Sequence, residues 1–393
     1  MDSLLAVVWM NLRSIPSRLG SSLVIVVGVA GVVGVLTALL SLAVGFSATM
    51  KGAGSDDRVL VLQNSSTTEL TSGLSQEELD VISSAPGVAR DSDGRPLVSA
   101  EVLVVADVPK QASDSTANLS VRGVGESGPI LRDSFEIVEG RMFASGRAEM
   151  IAGRSVSGQF QNLAVGDVLK ARNSDWEVVG IFSTGGDAFE SEVWVDAPVA
   201  QSAFRRGNSY QSVRVQLEDA AAFDGYKQAL DDDDRLRVDV FRESTYYQEQ
   251  SSANTGLFTA FGVVVGAIMA FGAIFGALNT MYTAVSTRTV EIATLRALGF
   301  GSGAVIMSVM VEALVLALLG GVIGAAIAYV LFDGFTVSTL NNSTFSQVAF
   351  AFAVTPKLLA IGLILALGLG FIGGFLPALR AASLPVTDAL RER

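Results

Sequence analysis

Four long apolar runs set the pattern of this chain. They cover residues 19–45, 257–282, 304–332 and 358–379. A helix needs about 20 mostly apolar residues to cross a bilayer, so each run predicts a transmembrane helix. The first run is longer than the ~7–15-residue core of a cleaved signal peptide and begins late, so it is read as an anchor that stays. Ahead of it, Leu4, Leu5, Val8, Trp9, Leu12 and Ile15 recur at helical spacing and predict an interfacial amphipathic helix.

Between the first two runs the pattern changes to short alternating stretches separated by turn residues. Strands are expected at 58–62, 97–105, 119–124, 167–171, 176–182, 192–195, 210–217 and 236–241. Helices are expected at 75–84 and 220–230, the first introduced by a Ser75/Glu78 capping box. The order strand–helix–strand occurs at both ends of this region. It implies a split α/β subdomain (52–117 and 200–245) around a β-rich insert (118–199), with a stalk over 246–256. The fold class is therefore a membrane protein of four transmembrane helices, with an extracytoplasmic α+β domain over 52–256.

The last three runs carry glycines four residues apart: Gly262/Gly266, Gly272/Gly276, Gly320/Gly324 and Gly370/Gly374. This spacing lets helices approach closely in lipid. Residues 333–357 read as a short polar external loop. Residues 283–303 join the second and third runs and hold Arg288, Glu291 and Arg296. Val290, Ala293 and Ala297 recur at helical spacing and predict an apolar side. Arg288 and Glu291, three apart, are expected as surface neighbours of opposite sign. Gly299 is placed to end the helix.

Charge sharpens this division. Residues 52–256 hold 18 Lys+Arg and 33 Asp+Glu, a net −15, which leaves +3 for the rest of a chain whose total is −12. The acidic region is the soluble one, and its sign argues against nucleic acid, whose phosphates it would repel. Arginines flank the short segments at Arg13, Arg18, Arg288, Arg296 and Arg380, but not the loop before Lys357. By the positive-inside rule both termini and residues 283–303 are cytoplasmic and the acidic domain lies outside.

Chemistry is sparse. The chain has no Cys and no His, which excludes disulfides, thiolate metal sites, His-containing zinc sites and a Ser–His–Asp triad. No lysine follows a glycine, so the Gly-Lys pair of a phosphate-binding loop is absent. Gly123, Gly125 and Gly128 match a dinucleotide spacing, but Pro129 follows where a helix should open, so a strand–turn is expected. Asp231–Asp234 reads as a solvated turn. Glu312, inside the third run, is expected to be structural rather than a proton relay, either solvated near the cytoplasmic interface or paired with an arginine such as Arg288 or Arg296. No catalytic, cofactor or metal residue is assigned.

The stretch Thr287-Arg-Thr-Val-Glu-Ile-Ala-Thr-Leu-Arg-Ala-Leu-Gly-Phe300 and the Glu312 span that follows resemble the FtsX-like permease signature of MacB-type ABC transporters, a mechanotransmitting class. The tail from Gly373 to Arg391 is similar to the family's final segment, with Pro377, Arg380, Pro385, Val386 and Leu390 in place. Externally, Phe135–Phe143, Val165-Gly-Asp-Val168 and Val178-Val-Gly-Ile-Phe182 resemble parts of the MacB periplasmic core. The chain departs from the family where Ser286 and Thr287 stand in place of a charge.

The resemblance implies a transport subunit, not an enzyme, in a cell inner membrane. Arg288, Glu291, Ile292, Leu295, Arg296 and Gly299 would couple it to a separate ABC ATPase, which would hold ATP and Mg. Glu312, Pro377, Arg380 and Pro385 would be structural. A second permease copy, identical or paralogous, a periplasmic adaptor and membrane lipids are the implied partners. The implied task is export of a lipid, lipoprotein, peptide or drug-like molecule. The alternative is an FtsX-like signalling permease that activates a cell-wall hydrolase and transports nothing.

Overall fold

The structure, a computed structural model, describes residues 19–383 apart from 112, 114, 173 and 342. The interfacial helix expected near the N-terminus, Pro385 and the rest of the final tail lie outside the described residues.

The chain divides into two compact units. One holds Gly45–Thr255 together with Thr336–Ala351. Its main sheet is built from β1 (Arg58–Gln63), β2 (Val98–Pro109), β3 (Thr116–Val124), β4 (Glu136–Gly140), β5 (Glu149–Gly153), β6 (Val168–Ala171), β7 (Ser174–Ser183), β8 (Glu192–Asp196), β9 (Ser212–Gln216) and β10 (Val238–Arg242). The strand order is β10-β1-β9-β2-β3-β8-β5-β7-β4, with β6 on β7. Because β2 and β3 pair antiparallel from Val102/Gly123 to Pro109/Thr116, the sheet runs unbroken from the flanking strands into the β-rich stretch. Packing is nevertheless divided. One core gathers Val59, Ile82, Val213, Tyr226 and Val240. A second gathers Val104, Val121, Trp176, Val193 and Phe204.

Local signals explain much of this unit. The Ser75 side chain accepts from the Glu78 N–H while the Glu78 carboxylate accepts from the Ser75 N–H, closing the expected box ahead of the helix Gln76–Ser84. After β3, residues 125–130 form turns rather than a helix. The Gly123 backbone packs where a Cβ would stand 2.8 Å from that of Ala200, so this glycine serves strand–helix packing. The segment expected as a plain polar loop instead contains a hairpin, β11 (Thr336–Leu340) paired with β12 (Gln347–Ala351).

The other unit is made of apolar helices. Among the described residues four helices are long and apolar enough to cross a membrane: α1 (Leu19–Gly52), α6 (Glu243–Ser286), α8 (Ser302–Phe332) and α9 (Pro356–Ser383). Among the described residues the shorter α-helices are α2 (Gln76–Ser84), α3 (Arg154–Ser157), α4 (Ala197–Ala203) and α5 (Phe223–Asp231), all in the first unit, and α7 (Thr289–Ala297) in this one. Stalk and second span are one uninterrupted helix of 44 residues, α6.

Glycine spacing governs how these helices pack. A Cβ on Gly324 would sit 2.4 Å from the Ala30 carbonyl oxygen, and one on Gly320 2.7 Å from that of Val26, so α8 presses its backbone onto α1. Gly370 and Gly374 face Ala317 and Ala313, and Gly262 and Gly266 face Leu39 and Leu36. Among the described residues, Gly272 and Gly276 meet nothing within 4 Å. Three of the four pairs are contact sites; the fourth lies open.

Candidate functional site

The loop between the second and third spans is the candidate coupling site. Helix α7 ends in a Schellman motif. The Gly299 N–H donates to the Arg296 carbonyl at 3.1 Å and the Phe300 N–H to that of Leu295 at 3.2 Å. Gly299 takes φ +96°, a left-handed conformation that a side chain would strain. The expected glycine stop is therefore present.

The faces of α7 differ from the expected ones. Arg288 is not a surface charge: it stands at the N-cap position, is buried, and donates to the buried Glu312 carboxylate at 2.8 Å. A carboxylate within an apolar span is tolerable only with a partner, and that need draws the arginine inward. Rotation of the helix follows. Ile292 and Ala293 are buried, whereas Val290 and Ala297, expected on the apolar side, are exposed. Glu291 and Gly299 are also exposed, Leu295 and Arg296 half-buried, and Leu298 is 72% exposed. The outward surface thus combines Val290, Glu291, Thr294 and Leu298.

The tail residues have structural surroundings. Pro377 is buried inside α9. The Arg380 guanidinium lies 5.5 Å from the centre of the Tyr282 ring, a cation–π arrangement.

A second charged centre lies in the soluble unit, and sequence reasoning missed it. β9, β2, β3 and β8 are neighbours, and their register brings Arg214, Glu101, Arg122 and Glu192 together. Arg122 donates to Glu192 at 2.6 Å, to Glu69 at 2.7 Å and to Glu101 at 2.8 Å. Arg214 reaches Glu101 at 2.8 Å, Glu69 at 3.2 Å, the Tyr247 hydroxyl at 2.7 Å, and Glu243. Arg58 donates to Glu243 at 2.8 Å and Arg132 to Glu101 at 2.9 Å. Phe189 sits amid three of these guanidinia, with the Arg122, Arg132 and Arg214 centres 5.4, 4.3 and 5.0 Å from its ring centroid. The signal in the sequence was a charge next to valine inside each of three strands, at Glu101, Arg122 and Arg214.

This network has a mechanical result. Glu243 is the first residue of α6, and Tyr246 and Tyr247 follow within a turn. Ion pairs from β1 and β9 therefore hold the beginning of the long helix against the sheet. The end of α1 lies there too: a Cβ on Gly54 would meet the Glu243 carbonyl oxygen at 2.7 Å. Burial by itself pushes the Glu101 carboxyl up, but the Arg132, Arg214 and Arg122 guanidinia outweigh it and hold the group well below the usual carboxylate range. Glu69 is likewise lowered, burial being outweighed by Arg122 and Arg214. Asp187, in the adjoining loop, goes the other way. Burial pushes it up to about 7, against hydrogen bonds from the Thr184 hydroxyl and the Phe189 N–H.

The run Asp231–Asp234 closes α5, and Asp233 takes Arg235 at 2.6 Å. Among the described residues no cluster of metal-ligating side chains is found.

Residues 263–386 match the FtsX-like permease C-terminal model, and residues 22–233 match the MacB-like periplasmic core domain. The chain is 28% identical over 308 residues to the uncharacterized ABC transporter permease YknZ of Bacillus subtilis (strain 168), covering 72% of this chain and 71% of that one. It is 25% identical over 405 residues to the macrolide export ATP-binding/permease protein MacB of Azoarcus sp. (strain BH72), covering 96% of this chain but 58% of the relative. It thus spans little more than half the length of that relative. The crystal structure of the extracellular domain of the YknZ transporter from Gram-positive bacteria covers 47% of this chain and 99% of its own at 18% identity, with a TM-score of 0.35. That overlay is loose and adds nothing to the sequence matches.

Proposed function

The chain belongs to the family of MacB/FtsX-type ABC-transporter permeases, and from that premise we propose that it converts ATP hydrolysis by a partner ATPase into movement of its soluble unit. ATP and Mg reside on that partner, which docks on the outward surface of α7. Both termini and residues 283–303 face the cytoplasm, and the acidic unit lies across an inner membrane. Closure of the ATPase pair displaces α7. Arg288 and Glu312 pass the displacement to α8, and the uninterrupted helix α6 carries it toward the charge network at Glu243. A coupling device of this kind needs two states whose balance ATP shifts.

A second permease copy completes the assembly. Its support is α6, where Leu257, Phe261, Val264, Ile268, Phe271 and Phe275 are all exposed at alternating four- and three-residue spacing, beside the open Gly272 and Gly276. This is the spacing of a helix–helix seam. The work performed is export of a lipid, lipoprotein, peptide or drug-like molecule, handed to an adaptor. The MacB relative is named as a macrolide exporter, which supports export over hydrolase signalling.

The observation that carries the reading is the short capped helix between two spans, fastened inward by Arg288 and presenting Val290, Glu291 and Leu298 outward. The test is the double variant Glu291→Arg, Leu298→Asp in an affinity-tagged chain. The expected result is loss of the co-purifying ATPase and of its permease-stimulated hydrolysis, with an unchanged unfolding midpoint. Retention of both activities in a folded variant refutes the docking assignment.

A further inference from the structure

We propose that the open edge of β11 binds an extended peptide segment carrying acidic side chains, which adds to the hairpin as a third strand. The hairpin is a two-stranded sheet, and among the described residues β11 pairs only with β12. Its other edge therefore offers backbone N–H and C=O groups without a strand partner. Such an edge is a template for another chain unless it is blunted. Here it is not: residues 336–340 contain no proline and no charge.

The edge borders a groove of about 690 Å³. Thr336, Val337 and Ser338 line it together with Lys110, Arg154 and Phe160. That volume is in the range of sites that enclose a small ligand or a few residues of peptide. Strand addition would supply affinity through the main chain, and the flanking side chains selectivity.

Charge selects the occupant. The surrounding domain is strongly acidic, yet among the described residues lining this groove the two ionic ones, Lys110 and Arg154, are cationic. Lys110 has no ion pair among the described residues, and Arg154 has one long contact, 3.7 Å to Glu136 with both side chains mostly exposed. A carboxylate on the incoming strand would be favoured over that loose pair. A second copy pairing edge to edge through the same surface would bring two Lys110 and two Arg154 side chains together, which opposes a symmetric dimer at this site. The inference does not depend on the export reading, because binding is measured without ATPase or ATP.

The test uses the full chain in detergent and a fluorescein-labelled heptapeptide, Thr-Val-Glu-Val-Glu-Val-Thr, followed by anisotropy. Saturable binding is expected. Methylating alternate backbone nitrogens of the peptide should weaken it at least tenfold, and so should replacing its two Glu by Lys. The double variant Lys110→Glu, Arg154→Glu should weaken the Glu peptide at least tenfold and favour the Lys peptide. Absence of saturable binding overturns the proposal. Equal binding of the N-methylated peptide, or indifference to charge reversal on either side, also overturns it. So does a peptide that binds only by dissociating a dimer, since the edge then belongs to a second copy. The peptide modifications act on the unaltered protein, so a variant that fails to fold does not decide the outcome.

Discussion

The packing of α8 on α1 allows a quantitative experiment on glycine. In Gly324→Ala the new methyl would lie 2.4 Å from the Ala30 carbonyl oxygen and 2.9 Å from its Cα. Both are backbone atoms, so no side chain can swing aside. Ordinary contact begins near 3.4 Å, which means the two helices must part by about 1 Å. Overpacking of this kind costs about 1–3 kcal/mol. The better helix propensity of alanine returns up to ~1 kcal/mol, so a net loss of ~1–2 kcal/mol is expected. Gly276→Ala meets nothing within 4 Å and retains only the favourable part. The two substitutions should therefore move stability in opposite directions in the detergent-solubilised single chain. Because the chain has no cysteine, Ser308→Cys in the buried face of α8 can serve as the only thiol, read by a thiol-reactive dye during heating. Gly324→Ala should lower the midpoint of dye uptake and Gly276→Ala should hold or raise it. Equal midpoints for the two variants, or a loss at Gly276 as large as at Gly324, would refute the close-packing argument.

Two further outcomes concern the soluble unit. Glu243→Gln leaves Arg58 and Arg214 each short of a buried carboxylate partner and should cost roughly 3 kcal/mol or more, since breaking a buried ion pair costs about 3–5 kcal/mol; the fluorescence of Trp194, whose ring lies 5.4 Å from Arg132, can follow unfolding, and the exposed Glu291→Gln should barely change it. Asp187, at about 7 when folded against 3.8 ordinarily, stabilises the fold fully below about pH 4 and loses that contribution as pH rises through 7, at up to ~1.4 kcal/mol per pH unit; Asp187→Asn should flatten the stability profile across that window, and an unchanged slope would count against burial as the cause.

What was legible in the chain was local. Four apolar runs long enough to span a bilayer, the Ser75/Glu78 box and the Gly299 stop each depend on residues at most a few positions apart, or on uninterrupted hydropathy. Solvent and hydrogen-bonding demands act on them before any distant contact forms. For Glu312 the chain left two structural readings, solvation near the interface or an arginine partner, and the structure shows the second, with Arg288.

Only tertiary structure decided which way α7 turns. Val290 looked inward by periodicity and is exposed, because the Arg288–Glu312 pair, 24 residues apart in the chain, sets the rotation. Only tertiary structure assembled Arg58 with Glu243, 185 residues away, or Arg214 with Glu69, 145 away. A charge inside an apolar strand states that a partner must exist. Which partner it finds depends on strand register and sheet order, and no short stretch of sequence carries that information.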